Sequence, residues 1–123
     1  MAVAKQSYGL NVLVNDGNPH VRAAVATQGY GLDILINDKN YLVREEVARQ
    51  GYGLETLIHD KNWRVRREVA EQGYGLDTLI NDPELYVRAM AVTKIQEKHP
   101  IISLFRFMIP IMAKFESNKY NSQ

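Results

Sequence analysis

A 22-residue unit recurs four times in this chain, without a gap, between residues 6 and 93. The third copy reads QGYGLETLIHDKNWRVRREVAE and occupies residues 50–71, with close copies at 28–49 and 72–93 and a looser one at 6–27. A fixed period of this length is typical of stacked repeat proteins, in which each unit buries its apolar side only against its neighbours. The period therefore predicts a core that runs as a strip through the repeats.

Each repeat is predicted to contain a short helix followed by a longer one. In the third copy the apolar residues of LETLI fall at i, i+3 and i+4, which is one face of a helix of at most about two turns, α or 3₁₀. Asp60 follows where the N-cap of the second helix is expected, and DPEL in the fourth copy would place Pro83 at the first helical position. The second helix is then expected over about 61–72, with Gly73 as the left-handed residue that ends it.

The motif LIxDxxxxVRxxVA carries a resemblance to a known family. It is present as LINDKNYLVREEVA and LIHDKNWRVRREVA, and it resembles the HEAT-repeat family and its short relative, the leucine-rich repeat variant. The resemblance covers about 88 of the 123 residues and implies an all-α, right-handed solenoid of four short two-helix repeats. HEAT units are longer than these, and QGYGL here replaces the proline-rich link of the short variant. The fold hosts many functions, so the resemblance implies no particular activity.

The two ends of the chain fall outside the period. Residues 1–5 form a short lead-in, and the tail 116–123 is expected to be disordered. Residues 94–115 are expected to form a helical cap over the last repeat, with a break at Pro110. Two alternatives for the apolar segment Ile101–Phe115 are a dimer contact and an amphipathic helix on a membrane surface, which is the less expected of the two. The bare first repeat is another candidate surface for self-association.

Two polar positions hold the same residue in all four copies, aspartate at one and arginine at the other, and they are predicted to form a structural ladder. An arginine–carboxylate pair with two parallel hydrogen bonds fixes geometry well, and the alternative is an arginine stripe that binds phosphate. The ladder positions are Asp16, Asp38, Asp60, Asp82, Arg22, Arg44, Arg66 and Arg88.

Positions that differ among the four copies are free to suit a partner. On the second helices they are expected opposite the buried valines, where they would form a mixed-charge recognition surface or a solvated face that has drifted neutrally. The richest part of this surface comprises Leu42, Glu45, Glu46, Arg64, Arg67, Glu68, Tyr86 and Met90. Trp63, the only tryptophan, is expected to pack within the turn, with a binding hot spot as the alternative.

Motifs and charge narrow the function. There is no phosphate-binding loop, zinc-protease motif or nucleophile–histidine–acid pattern, and the three histidines share no metal-ligand spacing, so we expect no enzyme activity, metal or cofactor. Residues 6–93 carry 9 basic and 12 acidic side chains, whereas 94–123 carry 5 basic and 2 acidic ones. A nucleic-acid-binding array would usually be basic across its repeats.

We therefore predict a non-catalytic scaffold that binds a protein partner. The alternatives are a nucleic-acid-binding module, through Lys39, Lys61, Arg64, Arg67 and the basic tail, and a self-assembling, dimeric repeat module. The absence of cysteine, of a signal peptide and of a long apolar span predicts a cytoplasmic protein without a membrane-spanning helix, and a membrane partner is not the expected one.

Overall fold

The computed structural model describes residues 9–99, which form eight α-helices and no β-strand. The predicted all-helical class is therefore confirmed for this part of the chain. Short and long helices alternate. The expected lead-in, the 100–115 part of the expected cap and the tail 116–123 lie outside the described residues. The short helices are α1 (Leu10–Leu13), α3 (Leu32–Leu35), α5 (Leu54–Leu57) and α7 (Leu76–Leu79). The long helices are α2 (Pro19–Thr27), α4 (Tyr41–Arg49), α6 (Trp63–Glu71) and α8 (Leu85–Lys98).

Each long helix begins two residues later than the sequence indicated. In the third repeat the N-cap is Asn62, whose side-chain oxygen accepts a hydrogen bond from the Arg64 backbone N–H at 2.8 Å. The prediction that the aspartate column caps these helices is wrong, because Asp60 instead accepts from the Asn62 N–H at 2.9 Å. This bond closes an Asx turn ahead of the helix. In the fourth repeat Glu84 is the N-cap, so Pro83 precedes the helix rather than starting it.

Glycines set the link from one repeat to the next. Gly73 has a φ of 80°, and the prediction that it ends its helix in the left-handed region is confirmed. Its N–H donates to Ala70 O at 2.8 Å and the Tyr74 N–H donates to Val69 O at 3.3 Å, a pair of bonds that closes the helix end. Gly75, at φ 63°, is the N-cap of the next short helix. A Cβ on this glycine would overlap the Ile58 side chain of the preceding repeat.

The core runs between neighbouring repeats, as the period predicts. The long helices pack in sequence, α2 on α4, α4 on α6 and α6 on α8, and this packing is consistent with stacked repeats. Six valines of the long helices and the last leucine of each of α3, α5 and α7 are almost completely enclosed, at no more than 2% exposure. They are Val25, Val43, Val47, Val65, Val69, Val87, Leu35, Leu57 and Leu79.

Candidate functional site

One arrangement of arginine and aspartate joins each repeat to the next. Arg44 donates from Nε to Asp60 Oδ2 at 2.7 Å and from Nη2 to Asp60 Oδ1 at 3.1 Å, while its Nη1 donates to the Asp38 carbonyl at 2.7 Å. The guanidinium therefore ties the loop of its own repeat to the carboxylate of the following repeat. The pairs Arg22–Asp38 and Arg66–Asp82 repeat the Nε–Oδ2 distance of 2.7 Å.

The electrostatics of these pairs favour a structural role. Burial alone would raise the pKa of Asp38, but hydrogen bonds from Arg22 and from the Asn40 backbone hold the pKa below its ordinary value of 3.8. The pKa of Arg22 is raised, chiefly by its hydrogen bond to Asp38. Three of the four invariant arginines each donate two hydrogen bonds to a carboxylate. Few of their donors therefore remain for binding phosphate.

The N-terminal halves of α4, α6 and α8 bring three aromatic rings and two arginines together. We call Tyr41, Trp63, Arg64, Arg67 and Tyr86 the aromatic–arginine cluster. The Trp63 and Tyr86 rings stack, with centroids 5.3 Å apart and an interplanar angle of 27°. The Arg64 guanidinium lies 5.2 Å from the Trp63 ring centroid and 5.5 Å from that of Tyr41, and the Arg67 guanidinium lies 5.1 Å from Trp63. Both distances to Trp63 are within the range of cation–π attraction.

Helix packing explains how residues so far apart in sequence meet. Tyr41 and Trp63 are the first residues of α4 and α6, and Tyr86 is the second residue of α8. Because these helices pack side by side, their first turns are neighbours. The Arg64 Nη1 donates to the Tyr41 hydroxyl at 3.0 Å, which fixes the guanidinium across the boundary between the second and third repeats.

The cluster keeps charge and apolar surface available to a partner. Arg64 is exposed and Tyr86 is 57% exposed, while Trp63 and Arg67 are half-buried. Among the carboxylates of residues 9–99, none lies within ion-pair distance of Arg64 or Arg67. Both guanidiniums are therefore held by aromatic rings rather than neutralised by acids.

The later turns of α4 and α6 carry the opposite charge. Arg49 contacts three glutamates there, with Nη2 3.5 Å from Glu45 and 3.5 Å from Glu68 and with Nη1 bonded to Glu46. Burial raises the pKa of Glu68, against the opposing effects of the Gln72 amide and of Arg49. Burial lowers the pKa of Arg49, but the charges of the three glutamates raise it by more, so the pKa lies above its ordinary value.

One predicted surface position is misplaced. Glu68 is only 9% exposed, so the expectation that it lies on a free helix face is wrong. The physical reason is that α4 and α8 flank α6 on two sides and cover more of its circumference than the valine stripe indicates. Leu42, Glu45, Glu46 and Met90 are half-buried rather than fully open.

Of the predicted partner-binding residues, the structure brings Arg64, Arg67 and Tyr86 into the cluster. Trp63 joins them, whereas Tyr41 was not singled out by the sequence as a binding residue. One signal was available in the sequence. Tyr41 occupies the same position of its repeat as Trp63 does, and the next position holds Arg64 in the third repeat and Tyr86 in the fourth.

The other basic residues considered above lie in a different environment. Lys39 and Lys61 line a surface groove together with Asp38, Asp60 and Arg44, so acidic and basic groups are mixed there. Such a groove presents no continuous basic path, which a phosphate backbone would follow.

No family model, curated protein or solved structure matches the chain. Within residues 9–99, no three His, Cys, Asp or Glu side chains lie close enough together to hold a metal ion. No helix in that stretch is long and apolar enough to cross a membrane.

Proposed function

We propose that the chain is a non-catalytic protein-binding scaffold, built as a right-handed solenoid of four HEAT-like repeats, with the aromatic–arginine cluster at the centre of its binding surface. The observation that carries the proposal is a pair of arginines stacked on Trp63 without a carboxylate partner among the described residues. Tryptophan, tyrosine and arginine are the residue types enriched at binding hot spots. The sequential packing of the long helices supports the solenoid.

The chemistry of the cluster favours an acidic segment of a partner protein. A guanidinium presents a planar set of donors that matches a carboxylate, and the stacked rings of Trp63 and Tyr86 offer apolar area beside it. Because Arg64 is already oriented by Tyr41, less side-chain entropy is lost when a partner binds.

The neighbouring glutamates would set the orientation of that partner. Glu45 and Glu46 lie further along α4 and repel an acid that extends in their direction. A partner with acidic groups against Arg64 and Arg67 and basic groups against the glutamates is therefore preferred over a uniformly acidic one.

Affinity capture from a nuclease-treated lysate of the source cells tests this proposal. The test variant is Arg64→Glu with Arg67→Glu, and the matched control is Lys39→Glu with Lys61→Glu, which makes the same charge change in the mixed groove. We expect wild type and the control to retain a common set of proteins that the test variant loses. Retention of the same set by the test variant would rule out the cluster as the binding centre.

Nucleic acid binding is the second candidate function, favoured by the Trp63–Tyr86 stack. Bases stack on aromatic rings and on arginine, and these contacts tolerate any sequence. In that case the affinity of single-stranded nucleic acid would fall steeply with salt, and both charge-reversal variants would weaken it. The excess of acidic residues in the repeats places this candidate second.

A further inference from the structure

The joint between successive repeats consists of three recurring contacts. The first is the arginine–aspartate pair, which always spans 16 positions, as in Arg44 to Asp60. In the second, an aliphatic side chain that follows the short helix covers the glycine that opens the next one, as Ile58 covers Gly75. The third is the burial of the last leucine of the short helix, which is 2% exposed in α3, α5 and α7.

The first repeat carries one half of each contact without its counterpart among residues 9–99. Leu13, the equivalent of those buried leucines, is 38% exposed. A Cβ on Gly9 would meet no atom of the described residues within 4 Å, whereas on Gly31 it would lie 2.8 Å from Val14 Cγ2. Asp16 is the aspartate of the first repeat, and it makes no ion pair with an arginine of residues 9–99.

The fourth repeat carries the opposite halves. Ile80 is 37% exposed, whereas its equivalents Val14 and Ile58 are 5% and 9% exposed. Arg88 makes no ion pair with a carboxylate of residues 9–99. The residue 16 positions after Arg88 is Leu104, so the repeat pattern supplies no next aspartate within the chain.

Both polar halves already hold the orientation that they have in a complete joint. The Asp16 Oδ1 accepts from the Asn18 N–H at 2.8 Å, as Asp38 accepts from Asn40 at 2.9 Å. The Arg88 Nη1 donates to the Asp82 carbonyl at 2.8 Å, as Arg44 does to the Asp38 carbonyl at 2.7 Å. The same backbone contacts that orient the inner pairs therefore orient Asp16 in the first repeat and Arg88 in the fourth.

We propose that copies of this chain associate head to tail, with the last repeat of one copy forming the repeat joint with the first repeat of the next. Arg88 of one copy binds Asp16 of the second copy through two parallel hydrogen bonds, Ile80 covers Gly9, and Leu13 becomes buried. The contact is heterologous, so association produces open chains whose length grows with concentration, rather than a closed dimer.

Sedimentation velocity over a concentration series tests the association with two single-site variants. Asp16→Asn keeps the side-chain oxygen that closes the Asx turn but removes the charge, and Arg88→Asp removes the cation. We expect the sedimentation coefficient of wild type to rise with concentration, and each variant to weaken association by at least about tenfold. Asp33→Arg and Lys39→Asp, which are charge reversals at exposed positions away from the ends, should associate as wild type does.

Mixing distinguishes a repeat joint from any other contact. Asp16→Arg leaves the Arg88 end intact, and Arg88→Asp leaves the Asp16 end intact. Each variant alone should remain a monomer, whereas an equimolar mixture should associate, because every copy then meets an opposite charge at both of its ends. The double variant Asp16→Arg/Arg88→Asp should associate again, because the charges are exchanged rather than lost.

Three results would overturn the proposal. Wild type could stay monomeric at every concentration, which would exclude the joint between copies. Association could persist in all variants but vanish when Phe105 and Phe107 are replaced by serine, which would assign it to the apolar tail. The mixture could also remain monomeric although both variants are folded by circular dichroism.

Discussion

The inner joints of the array and its two ends use the same residue types in different surroundings. Arg44 is enclosed with Asp60 between two repeats, whereas Arg88 has the same backbone contact but no carboxylate partner among the described residues. Leu35 is 2% exposed and its counterpart Leu13 is 38% exposed. The same side chain is therefore expected to contribute differently to the free energy of unfolding in different repeats, because the contacts that stabilise it come mostly from the neighbouring repeat.

The largest expected difference is between the inner and the terminal arginine. Arg44→Ala leaves the Asp60 carboxylate buried without its counter-charge and should lower the free energy of unfolding by about 3–5 kcal/mol. Arg88→Ala removes only hydrogen bonds to carbonyls and should cost about 1 kcal/mol in dilute solution. Urea unfolding followed by circular dichroism measures both, and equal costs would abolish the distinction between joint and end.

The leucines of the short helices give the next largest difference. Leu35→Ala creates a cavity between repeats and should cost about 3 kcal/mol. Leu13→Ala removes a side chain that is already partly in water, and we expect about 1 kcal/mol. The same urea titration compares the two, and a cost of Leu13→Ala near that of Leu35→Ala would show that the first repeat is covered in solution.

A smaller difference is expected between two glycines with nearly the same backbone. Gly9 and Gly53 have φ values of 80° and 65°, so alanine at either position should cost about 1 kcal/mol for the left-handed conformation. At Gly53 the new Cβ would also overlap the end of the Ile36 side chain, which should add about 1 kcal/mol. Thermal unfolding of the two variants should therefore separate them, and indistinguishable melting temperatures would argue against the close approach.

The smallest effect concerns Glu68, whose equivalents in the outer repeats are Ala24 and Met90. Burial raises its pKa above the ordinary value of 4.5, so the folded state favours the neutral acid. That stabilisation is present below pH 4.5 and is lost as the pH rises through the raised pKa of the folded state.

Glu68→Gln should consequently raise the free energy of unfolding at pH 7, by less than about 1 kcal/mol because contact with Arg49 is lost at the same time. The gain should disappear below pH 4.5. Glu55→Gln, an exposed change on α5, should have no effect at either pH. A loss of stability in Glu68→Gln at pH 7 would mean that the glutamate–Arg49 group stabilises the fold.

Much of the fold follows from the period. The apolar residues recur at the same positions in every unit, and a unit of this length can bury them only against its neighbours. The last leucine of each of α3, α5 and α7 and six valines of the long helices are buried as their spacing predicts, whereas Val21 and Val92 are only half-buried. The start of the long helices was misjudged because aspartate and asparagine have similar capping preferences. The structure uses Asn62 for the cap and leaves Asp60 for the arginine of the preceding repeat.

The candidate site was only partly accessible from the sequence. Arg64, Arg67 and Tyr86 were selected because they vary among copies, but their meeting with Trp63 depends on how α6 packs beside α8. The contribution of Tyr41 depends on a contact across 23 positions, which no local pattern indicates. Glu68 was misplaced because its burial comes from two flanking helices rather than from its own helix periodicity.

We expect the arginine–aspartate pair to couple the stability of one repeat to that of the next. A double-mutant cycle on Arg44→Met and Asp60→Asn, measured by urea unfolding, tests it most directly, since asparagine preserves the Asx turn. We expect a coupling free energy of at least about 2 kcal/mol between the two positions. Additive effects of the two substitutions, with a coupling near zero, would contradict the claim.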